Sequence, residues 1–334
     1  MKAYQLSQPG IDHLTAIELP TPIPAAGEVL VRLRAVALNY LDLAVANDLY
    51  PGVSFPLIPV ADGAGEIAAL GADVEAWAIG DRVVPHFKPH WLSGPLGPSA
   101  NDAMRGVTAD GSLAQYTLAR VTTLVRTPDH LSDVQAATLP ITATTAWNAI
   151  RVSHVGPGDT VLLLGTGGVS IFALQFAKAA GARVIITSSS DEKLERARKL
   201  GADETINYRT HEAWDVEVLR LTEGNGVELV VEGGGSATFA RSLAVAACGG
   251  MVFTIGFLSG ADLQFNAMPL ISKALRVQGN NTGSVANLAS AVRAIAAHRI
   301  VPVVDHVFSW HRAADAYAMV AAGSHFGKIA MTID

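Results

Sequence analysis

The sequence predicts an α/β protein of two domains, one of which contains a doubly wound parallel sheet. Strands and helices alternate from about residue 160 to residue 255, which indicates a parallel sheet covered by helices on both faces. The first 125 residues contain frequent short strands separated by glycine-containing turns, a pattern typical of a small barrel. A length of 334 residues favours two domains over one.

The β-rich region begins with an alternating strand. Val29, Val31 and Leu33 alternate with polar or small neighbours, as in a half-buried strand. Three further strands are predicted in this region, at 65–70, at 82–85 and at 111–119. Residues 88–111 are rich in Pro, Gly, Ser and Asn and have no sustained period, so we interpret them as a long loop. Loops of this length are usually functional or mobile.

The class of structure changes near residue 127. Ser132 followed by Gln135 resembles a capping box, and a helical segment to about residue 137 leads into a second helical stretch. The strands that follow are predicted near 160–164, 183–187, 204–206, 227–232 and 250–255. The alanine-rich segment 242–248 is interpreted as packed helix. Beyond residue 260 the predicted elements are helices at 285–298 and 311–322 and a strand at 327–333.

A glycine turn follows the strand predicted at 160–164. Gly165 can adopt backbone angles that other residues resist, and Gly167 has no Cβ to hold a pyrophosphate away from the backbone. The next amides would face the phosphates at the positive end of a helix. Ser170 replaces the third glycine of the fingerprint, so either the helix sits farther from the strand or the hydroxyl turns inward. The alternative to a dinucleotide site is a glycine-rich turn without a ligand. The predicted cofactor-binding residues of the turn are Gly165, Thr166, Gly167, Gly168 and Val169.

The end of the second strand favours NADPH over NADH. NAD-binding units carry a carboxylate there, whereas this strand ends in serines and its first acids lie inside the next helix. Ser188, Ser189 and Lys193 supply two hydroxyls and a cation that suit a 2′-phosphate. The alternative for Lys193 is a solvated helix face. Tyr208 follows the third strand and could lie near the adenine, or be an ordinary aromatic at a strand end.

The composition excludes several classes of function. There are 24 Lys and Arg against 30 Asp and Glu, a net charge of −6, so there is no basic stripe for nucleic acid. Cys248 is the single cysteine, which rules out an internal disulfide and a cysteine-rich zinc site. The start of the sequence does not resemble a signal peptide, and no apolar run is long enough to span a membrane. We therefore expect a cytoplasmic protein with a small-molecule substrate.

Several motifs occur in a recognisable order along the whole chain. They are LNYLDL at 38–43, PLIPVADGAGEI at 56–67, GDRVV at 80–84, GSLAQY at 111–116, LPITATTAW at 139–147, LLGTGGVS at 163–170, KLGADETINYR at 199–209 and HFGKIAMTI at 325–333. With these motifs the sequence resembles the medium-chain dehydrogenase/reductase superfamily, and within it the zinc-independent NADPH:quinone oxidoreductase branch.

The resemblance implies a domain order. A GroES-like catalytic domain would occupy 1–126, and a Rossmann dinucleotide-binding domain would occupy 127–262. The first part of 263–334 would complete the Rossmann sheet, and the rest would return to the catalytic domain. Relatives also pair the last strands of their nucleotide-domain sheets across a two-fold axis, so a homodimer is expected.

The sequence departs from the zinc-dependent relatives at the metal site. Those relatives place a cysteine and a histidine where this chain has Asn39 and Ala61, and their structural zinc loop would fall within 88–111, which contains no cysteine. A catalytic zinc needs three protein ligands, so we predict no metal. His86 and His90 are four residues apart, but the surrounding prolines argue against a helix that would align them, and we interpret both as loop histidines.

The resemblance also implies the residues of the catalytic cleft between the domains. Asn39 would offer its amide to the nicotinamide or the substrate, or else stabilise a turn. Asp42 would hold the loop by accepting backbone amides. Tyr50 would stack on the acceptor or donate to its oxygen, or else serve in packing. The residues implied near the nicotinamide are Thr142, Gly256, Phe257, Asn280 and Asn281.

Together these features predict a zinc-independent, NADPH-dependent oxidoreductase that transfers hydride to a quinone or an α,β-unsaturated carbonyl. A conjugated acceptor suits a metal-free site because its negative charge spreads over the conjugated oxygen. The alternatives are a zinc-independent alcohol or aldehyde oxidoreductase and a non-catalytic NADPH-binding sensor or structural protein.

Overall fold

The computed structural model describes all 334 residues. The strands are, in chain order, β1 (Lys2–Leu6), β2 (Leu14–Glu18), β3 (Glu28–Leu38), β4 (Asp62–Leu70), β5 (Arg82–Pro85), β6 (Tyr116–Arg120), β7 (Leu124–Arg126), β8 (Thr160–Leu163), β9 (Arg183–Ser188), β10 (Glu204–Asn207), β11 (Val227–Glu232), β12 (Ala246–Thr254), β13 (Arg276–Gly279), β14 (Val304–Ser309) and β15 (Lys328–Thr332). The α-helices are α1 (Tyr40–Ala46), α2 (Asp133–Ala136), α3 (Thr144–Ser153), α4 (Gly168–Ala179), α5 (Asp191–Lys199), α6 (Trp214–Leu221), α7 (Phe239–Val245), α8 (Met268–Ser272), α9 (Val285–His298) and α10 (Ala313–Ala322). None of these helices combines the length and the apolar character that crossing a membrane requires.

The chain divides into two compact units. Unit 1 consists of Met1–Thr144 and Gly283–Asp334, and unit 2 consists of Thr145–Thr282. The sequence analysis placed the corresponding boundaries near residues 127 and 263. The first boundary lies later because α2 packs against β3 and β4 of unit 1. Unit 2 extends past residue 262 because β13, which lies in the first part of segment 263–334, pairs with β12 of its sheet.

Unit 2 is built on a six-stranded parallel sheet. The strand order is β10-β9-β8-β11-β12-β13, and every neighbouring pair is parallel. All of β8 is buried, and α4 buries Phe172, Leu174 and Phe176. Strands covered on both faces need such continuous apolar runs. This strand order is that of a doubly wound Rossmann sheet and confirms the predicted fold of this domain.

Unit 1 is built around the long strand β3. Val29, Val31 and Leu33 are buried, as their alternation predicts. The main sheet runs β14-β15-β3-β4-β5-β7, β6 also pairs with β3, and β1 and β2 form a separate hairpin. Because β15 pairs antiparallel with β3, Ile329 lies opposite Leu38. The returning end of the chain is therefore fixed beside residue 39.

Most predicted elements agree with the structure to within a few residues. The capping box at Ser132 and Gln135 is present, and α9 has the predicted bounds. The interpretation of 242–248 as helix is wrong in its second half, because β12 begins at Ala246. Pairing of Ala246 with Val227 of β11 determines that start, and alanine itself carries no strand signal.

Candidate functional site

The glycine turn joins β8 to α4 in unit 2. Gly165 has φ +79°, in the left-handed region that favours glycine, and Gly167 precedes the first residue of α4. A Cβ atom added at either glycine would meet no other atom within 4 Å. The space beside the turn is therefore open to a phosphate group, next to the amides that begin the helix.

Ser170 shows how the chain manages without the third glycine. Its side chain is buried, and Oγ donates a hydrogen bond of 3.0 Å to the carbonyl oxygen of Leu164. The hydroxyl therefore turns inward, which is the second of the two arrangements expected. This hydrogen bond connects α4 to the end of β8 at the position where most such turns use glycine.

The residues expected at the adenosine end lie together after β9 and β10. Ser188 ends β9, and its carbonyl oxygen accepts a hydrogen bond of 3.0 Å from the backbone amide of Tyr208. Ser189 and Lys193 are half-buried, and the Tyr208 side chain is 42% exposed. The carboxylate of Asp191 accepts a hydrogen bond from Asn207, so this nearby acid is already engaged.

The residues expected at the nicotinamide end follow β12 and β13. The backbone amide of Asn280 donates a hydrogen bond of 3.0 Å to the carbonyl oxygen of Thr254, which connects the loop after β13 to the end of β12. Asn281 is half-buried and Phe257 is 41% exposed. The predicted cofactor residues of unit 2 thus all lie at the carboxyl edge of its sheet, where ligands bind in open parallel sheets. The residues present fit a dinucleotide.

Unit 1 contains a buried polar cluster centred on Asn39. We call it the Asn39 network, and it consists of Asn39, Asp42, Asp62, Thr142 and Lys328. Asn39 follows β3, Asp42 lies in α1, Asp62 begins β4 and Lys328 begins β15. Thr142 lies in a π-helical turn that precedes α3. Asn39 is half-buried, and the other four residues are at least 95% buried.

The Asn39 side chain is hydrogen-bonded on both sides. Its Nδ2 donates to Asp62 Oδ2 at 2.9 Å and to Asp42 Oδ2 at 3.3 Å. Its Oδ1 accepts from Lys328 Nζ at 2.6 Å and from Thr142 Oγ1 at 2.9 Å. Because ammonium groups only donate and carboxylates only accept, the orientation of this amide is unambiguous. The amide already has four partners in unit 1, and its predicted contact with nicotinamide or substrate stays a prediction.

Asp42 holds the segment between α1 and β4. Its Oδ2 accepts from the Asn39 backbone amide at 2.7 Å, and its Oδ1 accepts from the Ala61 amide at 2.8 Å. This is the structural role that the sequence analysis gave to Asp42. Val60, just before Ala61, has φ +72°, a conformation rare for a β-branched residue. The backbone at the position of the relatives' histidine is therefore held in a strained form.

Burial and mutual charge interactions shift the pKa values of the charged groups in the Asn39 network. Burial raises the pKa of Asp62 to about 7, although the Lys328 ammonium and the Asn39 amide oppose that rise. Burial lowers the pKa of Lys328, while the two carboxyl groups counter that change. Asp62 Oδ1 is buried and has no hydrogen-bond partner. Lys328 Nζ has two acceptors, Asn39 Oδ1 and the carbonyl oxygen of Leu38, for its three N–H groups.

Sequence reasoning did not assign a role to Asp62 or Lys328. Both lie in motifs that carry the family resemblance, PLIPVADGAGEI and HFGKIAMTI. A lysine in an otherwise apolar strand was the available signal, because such a side chain needs a buried partner. The partner itself is 289 residues away and leaves no local trace.

An apolar cluster adjoins the Asn39 network. Ala61 and Ile141 belong to it, and their backbone amides donate to Asp42 and Asp62 of the network. Tyr50 packs against this cluster, and burial raises the pKa of its phenol. The remaining buried members are Val45, Leu57, Phe87, Met104 and Val107. Unit 1 thus sets apolar surface and one protonated phenol beside a charged polar centre.

The residues at the family's metal position do not fit zinc. Asn39 has a neutral amide bound to an ammonium, and Ala61 has no ligand atom. Zinc takes thiolate, imidazole or carboxylate ligands, and a neighbouring ammonium repels it. No group of three or more His, Cys, Asp and Glu side chains in the chain could hold a metal ion.

His86 and His90 differ in environment. His86 is fully buried, and its Nδ1 lies 3.0 Å from the backbone nitrogen of Lys88, whereas His90 is exposed. Burial lowers the pKa of His86 to about 4. The imidazole is therefore neutral at physiological pH and belongs to the packing of the loop.

We expect His86 to make the protein acid-sensitive. A folded pKa near 4 against about 6.5 unfolded means that the unfolded state binds the proton better between these values. His86 therefore contributes stability that is complete above pH 6.5, and about 3 kcal/mol of it is lost as pH falls to 4. His86→Asn, which keeps an acceptor for Lys88, should flatten this slope in urea unfolding at pH 4.5 and 7. His90→Asn is the exposed control and should leave the slope unchanged. An identical slope in wild type and His86→Asn would contradict the assignment.

Two family models match the chain. The model described as alcohol dehydrogenase GroES-like domain matches residues 25–129, and the model described as zinc-binding dehydrogenase matches residues 168–297. A zinc-type alcohol dehydrogenase-like protein of Schizosaccharomyces pombe is 42% identical over 97% of this chain and 96% of its own length. A quinone oxidoreductase of Pseudomonas aeruginosa is 33% identical over 82% of this chain and 78% of its own length.

Solved structures give the same result. A putative alcohol dehydrogenase from Sinorhizobium meliloti is 35% identical, with a TM-score of 0.93, and covers 99% of this chain and 98% of its own. The mycobacterial protein Rv1454c, solved in complex with NADPH, is 26% identical, with a TM-score of 0.84, over all of both chains. The Rossmann sheet, the GroES-like match and these relatives confirm the resemblance read from the sequence. The chain therefore belongs to the medium-chain dehydrogenase/reductase superfamily.

Proposed function

We propose that this medium-chain oxidoreductase transfers hydride from NADPH to a quinone or an α,β-unsaturated carbonyl without a metal ion. The observation that carries the proposal is the Asn39 network, in which a lysine ammonium lies against the residue at the relatives' metal-ligand position. A site with an ammonium in place of a metal ion needs an acceptor whose developing negative charge can be stabilised by hydrogen bonds. Quinones and conjugated carbonyls meet that condition.

The choice of NADPH is supported by the residues after β9. Ser188 and Ser189 are hydroxyl residues at the place where NAD-binding units carry a carboxylate, and Lys193 is the first cation that follows them in the sequence. A charge-assisted contact to phosphate is worth about 1.5–3 kcal/mol, or roughly tenfold or more in preference. The related mycobacterial protein was solved with NADPH bound, which agrees with this choice.

The proposed roles in unit 1 follow from its two neighbouring clusters. The apolar cluster receives the ring or chain of the acceptor, and Tyr50 either stacks on it or donates to its oxygen. When bound, the reduced nicotinamide supplies the hydride. Hydride adds to the quinone or to the β-carbon of the enone, the π electrons move to the carbonyl oxygen, and a proton from solvent completes the reduction.

One assay tests the proposal directly. NADPH and NADH oxidation are followed with quinones, enones and aldehydes, in the presence and absence of a chelator. We expect chelator-resistant turnover of quinones or enones and a preference for NADPH. Activity lost in chelator would refute the metal-free site. Tight NADPH binding with no turnover of any acceptor would refute catalysis and favour a sensor.

A zinc-independent alcohol or aldehyde oxidoreductase is the second candidate, and Asp62 is the observation that favours it. Oxidation of an alcohol needs a base for the hydroxyl proton, and a buried carboxyl with a pKa of about 7 and a free Oδ1 is suited to that task. Reduction of NADP⁺ by simple alcohols that persists in chelator would select this candidate.

Tyr50→Phe should distinguish hydrogen bonding from packing. If the phenol donates to the acceptor, kcat/KM for quinone or enone falls about tenfold, which corresponds to one hydrogen bond of about 1.5 kcal/mol. The KM for NADPH should not change. Tyr40→Phe, at an exposed position on α1, is the control. Wild-type kcat/KM in Tyr50→Phe would leave packing as the role of Tyr50.

The proposal includes a homodimer formed along β13. This strand is the edge of the unit 2 sheet, and all four of its residues are exposed. Val277 of this strand is apolar, and Phe265 and Ile271 add exposed apolar side chains in the preceding segment; such edges generally need covering. Sedimentation at micromolar concentration should show twice the chain mass, and Val277→Lys should shift the protein toward monomer. A wild type that sediments only at 34.9 kDa would contradict the dimer.

A further inference from the structure

Lys328 is a buried cation with an unused hydrogen-bond donor. Its side chain is 4% exposed, and its ammonium donates to Leu38 and Asn39 only. An ammonium group carries three N–H bonds, so one remains without an acceptor. Buried donors without partners are costly and rare, so each one calls for an explanation such as a catalytic role or a bound water or ion.

The surroundings of Lys328 keep it charged without a direct ion pair. The negative charges of Asp42 and Asp62 favour the charged form of Lys328, although neither carboxylate forms a salt bridge with it. The amide of Asn39 lies between, accepting from Lys328 and donating to Asp62. Two carboxyl groups therefore balance the positive charge without direct contact, and one N–H bond of the ammonium has no acceptor.

We propose that Lys328 acts as the electrophile of the acceptor site, in the role that zinc has in the metal-dependent relatives. This inference rests on the proposed reduction of a conjugated carbonyl. The third N–H donates to the carbonyl oxygen of the acceptor. As hydride adds to the conjugated carbon, the π electrons move to that oxygen, and the ammonium stabilises the resulting enolate or hydroquinone anion. Solvent then supplies the proton, and Lys328 leaves the cycle unchanged.

This role predicts a selective loss of activity. An electrophile matters most for acceptors that are hard to reduce, because their enolate-like transition states need the most stabilisation of the negative charge that develops on oxygen as hydride adds. An enone therefore depends on Lys328 more than 1,4-benzoquinone does. A purely structural lysine would affect both substrates equally.

The test compares two acceptors in variants that keep the buried charge balanced. In Lys328→Met/Asp62→Asn we expect kcat/KM for 2-cyclohexen-1-one to fall at least 100-fold and that for 1,4-benzoquinone to fall less than 10-fold. The Kd for NADPH, measured by fluorescence, should stay within threefold. Asp62→Asn alone should lose less enone activity than the double variant. Lys178→Met/Asp203→Asn, which removes an ion pair in unit 2, is the matched control.

Two results would overturn the assignment. One is an equal loss for both acceptors, and the other is an Asp62→Asn variant that loses as much as the double variant. Lys328→Gln keeps a neutral donor and should show the same selectivity, which provides a second variant if the double variant does not fold. A wild type that reduces neither acceptor refutes the proposed function itself, whereas normal wild-type turnover with equal losses refutes only Lys328.

Discussion

Lys328→Met should lower the free energy of unfolding by about 3 kcal/mol at pH 8 and by less at pH 6. Removing one partner of a buried charge set leaves the other charges uncompensated, which typically costs about 3–5 kcal/mol. Asp62 already has a pKa raised to about 7 with Lys328 present, and loss of the cation raises that pKa further. A raised carboxyl pKa means that the folded state binds the proton better, so stability is gained as pH falls.

Urea unfolding followed by tryptophan fluorescence measures this effect, because Trp310 is buried in unit 1. Lys178→Met serves as the control. Lys178 pairs with Asp203 at 2.8 Å, but both side chains are about one-third exposed, and such pairs contribute about 1 kcal/mol or less. An unfolding midpoint equal to that of wild type at pH 8 would show that the carboxyl groups of the network do not depend on Lys328.

The second large effect should be a change of cofactor preference. In Lys193→Ala/Ser189→Asp we expect the ratio of kcat/KM for NADPH to that for NADH to fall by about 100-fold, because one phosphate contact is lost and a repulsive carboxylate is added. The fold should survive, since the cap of α5 uses the backbone amide of Lys193 and the hydroxyl of Ser190. Both substituted side chains are only half-buried.

Lys199→Ala is the matched control for this change. Lys199 ends the same helix and is largely exposed. Its removal takes away a positive charge of the same kind at the opposite end of α5. If Lys199→Ala lowers the ratio as much as the double variant does, the effect is a general change of charge, and the serines and Lys193 do not bind the 2′-phosphate.

Local patterns made most of the fold predictable. The helical spacing of apolar residues and the N-cap at Ser284 determine α9, and both signals lie in one short stretch of sequence. The glycine turn between β8 and α4 is equally local. The early start of β12 could not be predicted, because it depends on pairing with β11.

The candidate site was predictable in part. Asn39 and Asp42 lie in one motif, and their capping contact joins neighbouring residues. The inward hydroxyl of Ser170 was one of two expected arrangements, and packing decides between them. The roles of Asp62 and Lys328 depend on the antiparallel pairing of β15 with β3. That pairing joins segments far apart in the sequence, so no local pattern predicts it.

That pairing of β15 with β3 also orders events during folding. Unit 2 is one continuous segment, so all its contacts can form without waiting for either flank. The Asn39 network needs residues 39 and 328 together, and contacts this distant in sequence are slow to form because a large loop must close first. Until β15 docks, Asp42 and Asp62 have no cation beside them and favour a solvated, open sheet. The residue proposed to activate the acceptor is thus also one whose contacts can form only after the two distant segments of unit 1 have met.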